Sequence, residues 1–145
     1  MNNEKIEAMM KKGYHCAQTV FCYFADRYGL DHTKAKRTAQ TLESGMMQAK
    51  TCGAVAAAHL VLGLEYGTDA PESRDVLLKK VNEFYRQFEE KKSTTICREL
   101  LGVDVTTKEG LEQAVEEKLI ETVCPDCVMT SIEILEKMIR RSTQE

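Results

Sequence analysis

Four of the six cysteines in this 145-residue sequence fall where a helix is predicted to begin. They are Cys16, Cys52, Cys97 and Cys124. Unsatisfied backbone N–H groups and the dipole at a helix N-terminus act like roughly half a positive charge and favour an anion. A thiol there can have its pKa lowered from about 8.5 toward neutrality, and the thiolate is the form that attacks disulfides or binds metals. The shared placement indicates reactive thiols, whereas any one cysteine alone could be a small buried hydrophobe.

Cys124 and Cys127 form a CxxC sequence around Pro125, where we expect the last helix to begin. This spacing at a helix start lets the two sulfurs approach each other, so the pair predicts a disulfide or a metal clasp. It is the exchange pair that the sequence favours. No βαβ pattern precedes the motif, and no second CxxC or histidine pair accompanies it. The CxxC therefore indicates neither a thioredoxin nor a zinc knuckle.

The four helix-start cysteines also form an alternative set of metal ligands. Thiolates of Cys16, Cys52, Cys97 and Cys124 could together bind zinc or an iron–sulfur cluster. His59 lies seven residues after Cys52 on the same helical face and could serve as a further ligand or a proton acceptor. A core histidine is the more ordinary interpretation of that position. We interpret Cys22, which follows Cys16 by six residues, as a packing residue.

The segments that carry these cysteines repeat apolar residues with helical periodicity. The clearest stripe runs from Leu77 to Phe88, in a helix that we expect to open at Pro71. No segment alternates apolar and polar residues for long enough to predict a strand. Seven or eight helices with short connections predict an all-α bundle, and residues 1–145 are expected to form a single helical domain.

Composition and charge narrow the classes of partner. The sequence has 20 Lys and Arg against 23 Asp and Glu, a net charge of −3, which is not the basic footprint of a nucleic-acid-binding protein. The longest apolar stretch, Cys52 to Leu64, is shorter than the roughly 18 residues of a membrane span. We therefore expect no nucleic-acid partner, no membrane insertion and a cytoplasmic location. Thiols stay reduced in that compartment, which favours catalytic or metal-binding cysteines over structural disulfides.

Several segments around the cysteines resemble one family of small proteins. Residues 52–57 (CGAVAA) resemble its CGAxxG motif, and residues 13–18 (GYHCAQ) resemble its first cysteine segment. Residues 60–67 (LVLGLEYG) and 97–102 (CRELLG) are similar to later segments, and Cys124 matches the last cysteine. This is the C-GCAxxG-C-C family of redox-active proteins. The resemblance implies a redox role for Cys16, Cys52, Cys97 and Cys124, without a defined substrate or reaction.

The sequence departs from the family pattern at Ala57, where the motif has glycine. If that glycine serves a close backbone approach, the extra methyl group is either tolerated or narrows the site. Cys22 and Cys127 are additional to the family cysteines.

Three functions remain open from the sequence. The first is a cytoplasmic redox protein that exchanges thiols and disulfides with an unknown redox partner through Cys16, Cys52, Cys97, Cys124 and Cys127. The second is a binding module for zinc or an iron–sulfur cluster, and the third is a helical scaffold with structural cysteines. The apolar surplus of the helix predicted over 71–90 also makes a homodimer an expectation.

Overall fold

The computed structural model describes residues 1–144, most of which lie in helices. The α-helices are α1 Asn3–Lys11, α2 Cys16–Phe24, α3 His32–Thr38, α4 Gly53–Tyr66, α5 Ser73–Lys92, α6 Cys97–Leu101, α7 Lys108–Glu116 and α8 Leu119–Gln144. Two 3-10 segments, Ala25–Tyr28 and Gln40–Leu42, and a π-type segment, Gly45–Ala49, lie between them. Across these residues the pairing of extended backbone is limited to an isolated antiparallel bridge between Thr51 and Ile96. The predicted all-α bundle of seven or eight helices is confirmed.

Helices α2, α4 and α8 form the centre of the bundle and pack against one another. The first half of α4, residues 53–58, is buried all round because five of its six side chains are no larger than alanine. Small residues allow the neighbouring helices to come close, and the Ser131 hydroxyl on α8 donates a buried hydrogen bond of 2.9 Å to the Ala54 carbonyl. Ala57, which replaces the family glycine, is fully buried in this packing. Its methyl group fills the core.

Helix α5 is amphipathic, as predicted, and packs on α4 and α8. Its inner face buries Phe84 and Phe88, whose rings stack with centroids 5.9 Å apart. It begins at Ser73, two residues after the predicted start at Pro71. Val76 and Leu78 on its outer face are about half exposed, so the homodimer expected through this helix stays a prediction.

A smaller apolar cluster joins α6, α7 and the start of α8. It consists of Cys97, Leu101, Val103 and Ala114, with Val123 and Cys124 packed against it. Val123 packs against both this cluster and the main core, and Cys52 and Cys127 belong to the main core. The cysteines thus lie along the boundary between two packed regions.

Helix α8 begins at Leu119, not at Pro125 as the sequence analysis predicts. Pro125 is the seventh residue of the helix and leaves the carbonyl of Glu121 without its usual backbone donor. One lost bond so near the N-terminus does not stop a 26-residue helix that buries a long apolar face against α2, α4 and α5. Tertiary packing therefore overrides the local preference of proline.

No helix within residues 1–144 combines the length and the apolar character that a bilayer-spanning helix needs. The apolar helix α4 has 14 residues, and the longer helices α5 and α8 carry charged side chains along their lengths.

Candidate functional site

The five cysteines predicted for the site line one cavity of about 480 Å³. They are Cys16, Cys52, Cys97, Cys124 and Cys127. Their helices meet here: α2, α4 and α6 begin at the cavity, and the first turns of α8 form its opposite wall. All six cysteines of the chain are free thiols. The sixth, Cys22, is fully buried in the core away from this cavity, as its interpretation as a packing residue requires.

Cys16 is the first residue of α2, and its sulfur reaches the start of α4. A Cβ placed on Gly53 would lie 2.4 Å from the Cys16 sulfur and 2.9 Å from the Leu42 carbonyl oxygen. Only glycine leaves room for this approach, which gives the CG sequence of residues 52 and 53 a structural reason. His15, the N-cap of α2, lies beside Cys16 and pairs through Nδ1 with the Glu43 carboxylate at 2.6 Å.

The bridge between Thr51 and Ile96 places two further cysteines side by side. The Cys52 N–H donates to the Thr95 carbonyl at 2.8 Å, and the Cys97 N–H donates to the Lys50 carbonyl at 2.6 Å. Each extended segment then turns directly into a helix, so Cys52 becomes the N-cap of α4 and Cys97 the first residue of α6. Two cysteines 45 positions apart in the sequence therefore open into the same cavity.

Cys127 on α8 meets Cys52 across the cavity. The two thiols interact closely enough to shift each other's pKa, and their interaction lowers the pKa of Cys127 and raises that of Cys52. Burial opposes the lowering at Cys127, and the charge of Lys92, at the end of α5, supports it. Lys92 is held nearby by its ion pair with Asp126. One thiolate shared by this pair is the most stable charge among the cavity sulfurs.

The remaining cavity thiols are not acidic, contrary to the expectation from helix N-termini. Burial, reinforced by the charges of neighbouring cysteines, raises the pKa of Cys16, Cys97 and Cys124 to about 12 each. The backbone N–H groups of Ser44 and Ala17 act in the predicted direction on Cys16, but loss of water outweighs them. At Cys16 the helix N-terminus thus supplies the smaller of two opposing effects on the pKa.

Cys124 also departs from its predicted position. It is the sixth residue of α8, inside the helix and not at its N-terminus, because the helix starts at Leu119. The close partner of Cys127 is accordingly Cys52 on another helix and not Cys124, the partner that the CxxC spacing favours.

His59 lies outside the cysteine cavity. Its Nε2 atom is 2.9 Å from the Tyr85 hydroxyl, and its ring lines a separate depression between α3 and α4. The two helical turns between Cys52 and His59 share a face but separate the residues by about 10 Å along the axis. The structure therefore does not bring His59 to the cysteines, where the alternative role of ligand or proton acceptor would need it.

The cavity wall next to Cys97 has an unusual backbone. Ser44, Gly45, Met46, Met47 and Ala49 all have positive φ, between 50° and 64°, and so form a short left-handed turn. It is closed by a hydrogen bond of 3.0 Å from the Lys50 N–H to the Gly45 carbonyl. Each non-glycine residue in this conformation costs about 1–2 kcal/mol. The turn leads directly into the bridge that positions Cys52 and Cys97.

The donor set for a metal is incomplete in this arrangement. Within residues 1–144, no three His, Cys, Asp or Glu side chains are placed to hold one metal ion. Cys16, Cys52, Cys97 and Cys124 share a cavity, but they surround it without converging on one point.

Three polar residues of the site were missed by the sequence analysis or set aside. His15 and Glu43 pair at the cavity wall, and Lys92 acts on Cys127. A histidine directly before a predicted helix start was the one available signal. Glu43 and Lys92 occur in ordinary charged segments, and only the tertiary structure brings them to the cysteines.

Fold and site together define an all-α protein with a cysteine-lined cavity where several helix ends meet. The family model described as "Putative redox-active protein (C_GCAxxG_C_C)" matches residues 14–138. The chain therefore belongs to this family, and the resemblance inferred from its cysteine segments is confirmed. No curated protein and no solved structure matches it significantly.

Proposed function

We propose that this protein carries out thiol–disulfide exchange through Cys52 and Cys127, as a single helical domain in the cytoplasm. The observation that carries the proposal is the placement of these two thiols in one cavity, where their interaction lowers the pKa of Cys127. A thiolate next to a protonated thiol is the arrangement that exchange requires, because the first sulfur attacks and the second resolves the mixed disulfide. Cys16, Cys97 and Cys124 remain protonated and line the space around the pair.

The exchange proceeds in two steps. The Cys127 thiolate attacks one sulfur of a substrate disulfide, forms a mixed disulfide and releases the other sulfur as a thiolate, which takes the Cys52 proton. The Cys52 thiolate then attacks the Cys127 sulfur, and the second substrate thiolate leaves and takes a proton from solvent. The protein loses two electrons to form a Cys52–Cys127 disulfide, and the substrate gains them as two thiols.

The order of attack follows from the coupling between the two thiols. The first cause of the raised pKa of Cys52 is its interaction with the Cys127 thiol. That cause disappears once Cys127 is in a mixed disulfide, whereas the N–H groups of Ala54 and Val55 at the start of α4 still act to lower the pKa. Cys52 therefore becomes a better nucleophile at the stage when it is needed.

Mapping the disulfide after mild oxidation with diamide tests the proposal. We expect the free thiol count to fall from six to four and tryptic peptides 51–74 and 119–137 to become cross-linked. The cross-link should survive in Cys124→Ser and in the core control Cys22→Ala, and it should vanish in Cys52→Ser and Cys127→Ser. Retention of all six thiols, or a disulfide within peptide 119–137, would overturn the assignment.

A second readout tests the thiolate itself. Replacing Lys92 with glutamine should slow alkylation of Cys127 near neutral pH by about threefold to tenfold, because it removes a charge that lowers this pKa. Lys91→Gln is the matched control, since Lys91 pairs with Glu133 instead. Equal rates in the two variants would remove Lys92 from the mechanism.

Binding of zinc or an iron–sulfur cluster is not proposed, because the four family cysteines do not converge on a common position among the described residues. The scaffold interpretation predicts that no cysteine pair oxidises selectively, and the same mapping experiment tests it.

A further inference from the structure

The cavity above the Cys52–Cys127 pair also bears on which disulfides can reach it. Of the five cysteines around it, the two that we assign to exchange are among the most buried, with 7% of Cys52 and 2% of Cys127 exposed. A disulfide on the surface of another folded protein cannot contact sulfurs that deep unless this protein opens. A small molecule that enters the cavity can.

The size of the cavity sets the size of that molecule. About 480 Å³ lies within the range of about 300–1,000 Å³ found for small-molecule sites. The volume accommodates a compound of lipoamide or glutathione size and not a folded domain.

The lining of the cavity is predominantly apolar. Beyond the cysteines it is formed by Met10, Tyr14, Leu100, Leu101, Val105, Ile120, Val123 and Pro125, among other residues. These side chains come from α1, α6 and α8 and from the connections next to α2 and α6, so that apolar surface surrounds the sulfurs on several sides. Burial of apolar ligand surface against such walls is favourable, whereas burial of an unpaired charge there is costly.

The charged side chains of the lining give no site for a polyanion, and N–H groups at the starts of α2 and α4 already act on the Cys16 and Cys52 sulfurs. The basic lining residues within the described chain are Lys11 and His15, and His15 is already paired with Glu43. Lys11 is exposed, as is the acidic Glu121. A disulfide with several carboxylates, such as oxidised glutathione, would leave most of its charges without a partner.

From this geometry we infer that the exchange substrate is a small, uncharged, largely apolar organic disulfide, of which the dithiolane lipoamide is a suitable probe. The inference rests on the proposed function, because the substrate reacts at the same two cysteines. Its disulfide accepts the two electrons of the Cys52–Cys127 pair and is released as a dithiol, or the reverse exchange oxidises a bound dithiol.

Lipoamide and lipoate make a matched pair of probes, because they carry the same dithiolane and differ only in a terminal amide or carboxylate. Exchange is measured in both directions: reduced protein with each disulfide, and diamide-oxidised protein with each dithiol. We expect lipoamide to react at least tenfold faster than lipoate and oxidised glutathione, and no reaction with the disulfides of insulin. Equal rates for lipoamide and lipoate, or rapid reaction with insulin, would overturn the inference.

A charged residue placed at the edge of the cavity provides an independent test of the inference. Ile120 lines the cavity and is 41% exposed, so the Ile120→Lys variant should fold. The ratio of its exchange rate with lipoamide to that with lipoate should fall at least fivefold. The matched control is Leu111→Lys on α7, which is 46% exposed and outside the cavity. An Ile120→Lys variant with an unchanged preference contradicts recognition in this cavity.

The outcomes also separate the inference from the proposed function. If diamide forms the Cys52–Cys127 disulfide but the two dithiolanes react alike, only the substrate class is wrong. If no reagent joins these two cysteines, the exchange function itself fails.

Discussion

Gly53 controls how closely the Cys16 sulfur approaches the N-terminus of α4. The backbone of this glycine is ordinarily helical, so a side chain is excluded by its neighbours and not by the conformation. The Cys16 sulfur can rotate away from a new Cβ, but the Leu42 carbonyl oxygen, 2.9 Å from that position, belongs to the backbone. The space between the 3-10 segment Gln40–Leu42 and the start of α4 is thus set by a single missing methyl group.

Replacing Gly53 with alanine should therefore destabilise the protein by about 1–3 kcal/mol, the usual cost of overpacking a close contact. Gly63→Ala is a control in the same helix, since nothing lies within 4 Å of its added Cβ. That substitution should stabilise the protein by up to about 1 kcal/mol through helix propensity. Urea unfolding of both variants measures the difference, and a Gly53→Ala protein as stable as Gly63→Ala would refute the packing argument.

Residue types and spacing singled out five cysteines that lie around one cavity, but not the protonation state of their thiols. All five cysteines named from the sequence line the cavity. The raised pKa values of Cys16 and Cys97 were not predictable, because they depend on how much water each helix start loses on packing. The pairing of Cys127 with Cys52 was not predictable either, since it arises between helices that are distant in the sequence.

At the scale of elements, the left-handed turn at residues 44–49 is the least expected feature. Met46 has φ 61° and ψ 35°, and both Met46 and Met47 are 47% exposed. Glycine would adopt this conformation without strain, so these methionines are present at a local cost. Local backbone strain at a functional site is a recurrent observation, and here it directs the chain from the cavity wall into the bridge with Ile96.

Met46→Gly should consequently stabilise the protein by about 0.5–1 kcal/mol, the relief of left-handed strain less the extra entropy of an unfolded glycine. The same type of change in an ordinary helix has the opposite sign. Leu111→Gly on α7, where the side chain is 46% exposed, should cost about 1 kcal/mol. Thermal or urea unfolding distinguishes the two, and destabilisation by both substitutions would show that Met46 makes contacts that outweigh its strain.

Helix existence was predictable because it depends on local periodicity, and helix boundaries were less so. Asp31 is the N-cap of α3, a position that aspartate favours, and its carboxylate accepts a hydrogen bond of 2.9 Å from the Lys34 N–H. The start of α8 was predicted six residues late, because the proline rule is local whereas the helix is held by long-range packing. The same limitation explains the left-handed turn, for which residues 44–49 contain only one glycine as a signal.

On the scale of the whole molecule, the cluster of buried thiols links stability to pH. In an unfolded chain a cysteine loses its proton near pH 8.5. In the folded protein Cys16, Cys97 and Cys124 keep theirs until about pH 12. Above pH 8.5 the unfolded state therefore binds fewer protons than the folded state, and raising the pH favours unfolding. The lowered pKa of Cys127 has the opposite sign and acts below that pH, where stability rises with pH.

We expect the free energy of unfolding to fall by about 1 kcal/mol for each of these three thiols between pH 8.5 and 9.5, and the raised pKa values of Cys52 and Cys22 act in the same direction. This window lies below the ordinary pKa of tyrosine and lysine, so the buried tyrosines contribute little to the change. Urea titrations in the presence of a phosphine reductant measure the fall without disulfide formation. Cys97→Ala should make the fall about 1 kcal/mol smaller, because it removes one thiol that is held protonated. A flat profile over this window, or an equal fall in Cys97→Ala, would mean that water enters the cavity and lets the thiols ionise, and the apolar lining would then lose its effect on their chemistry.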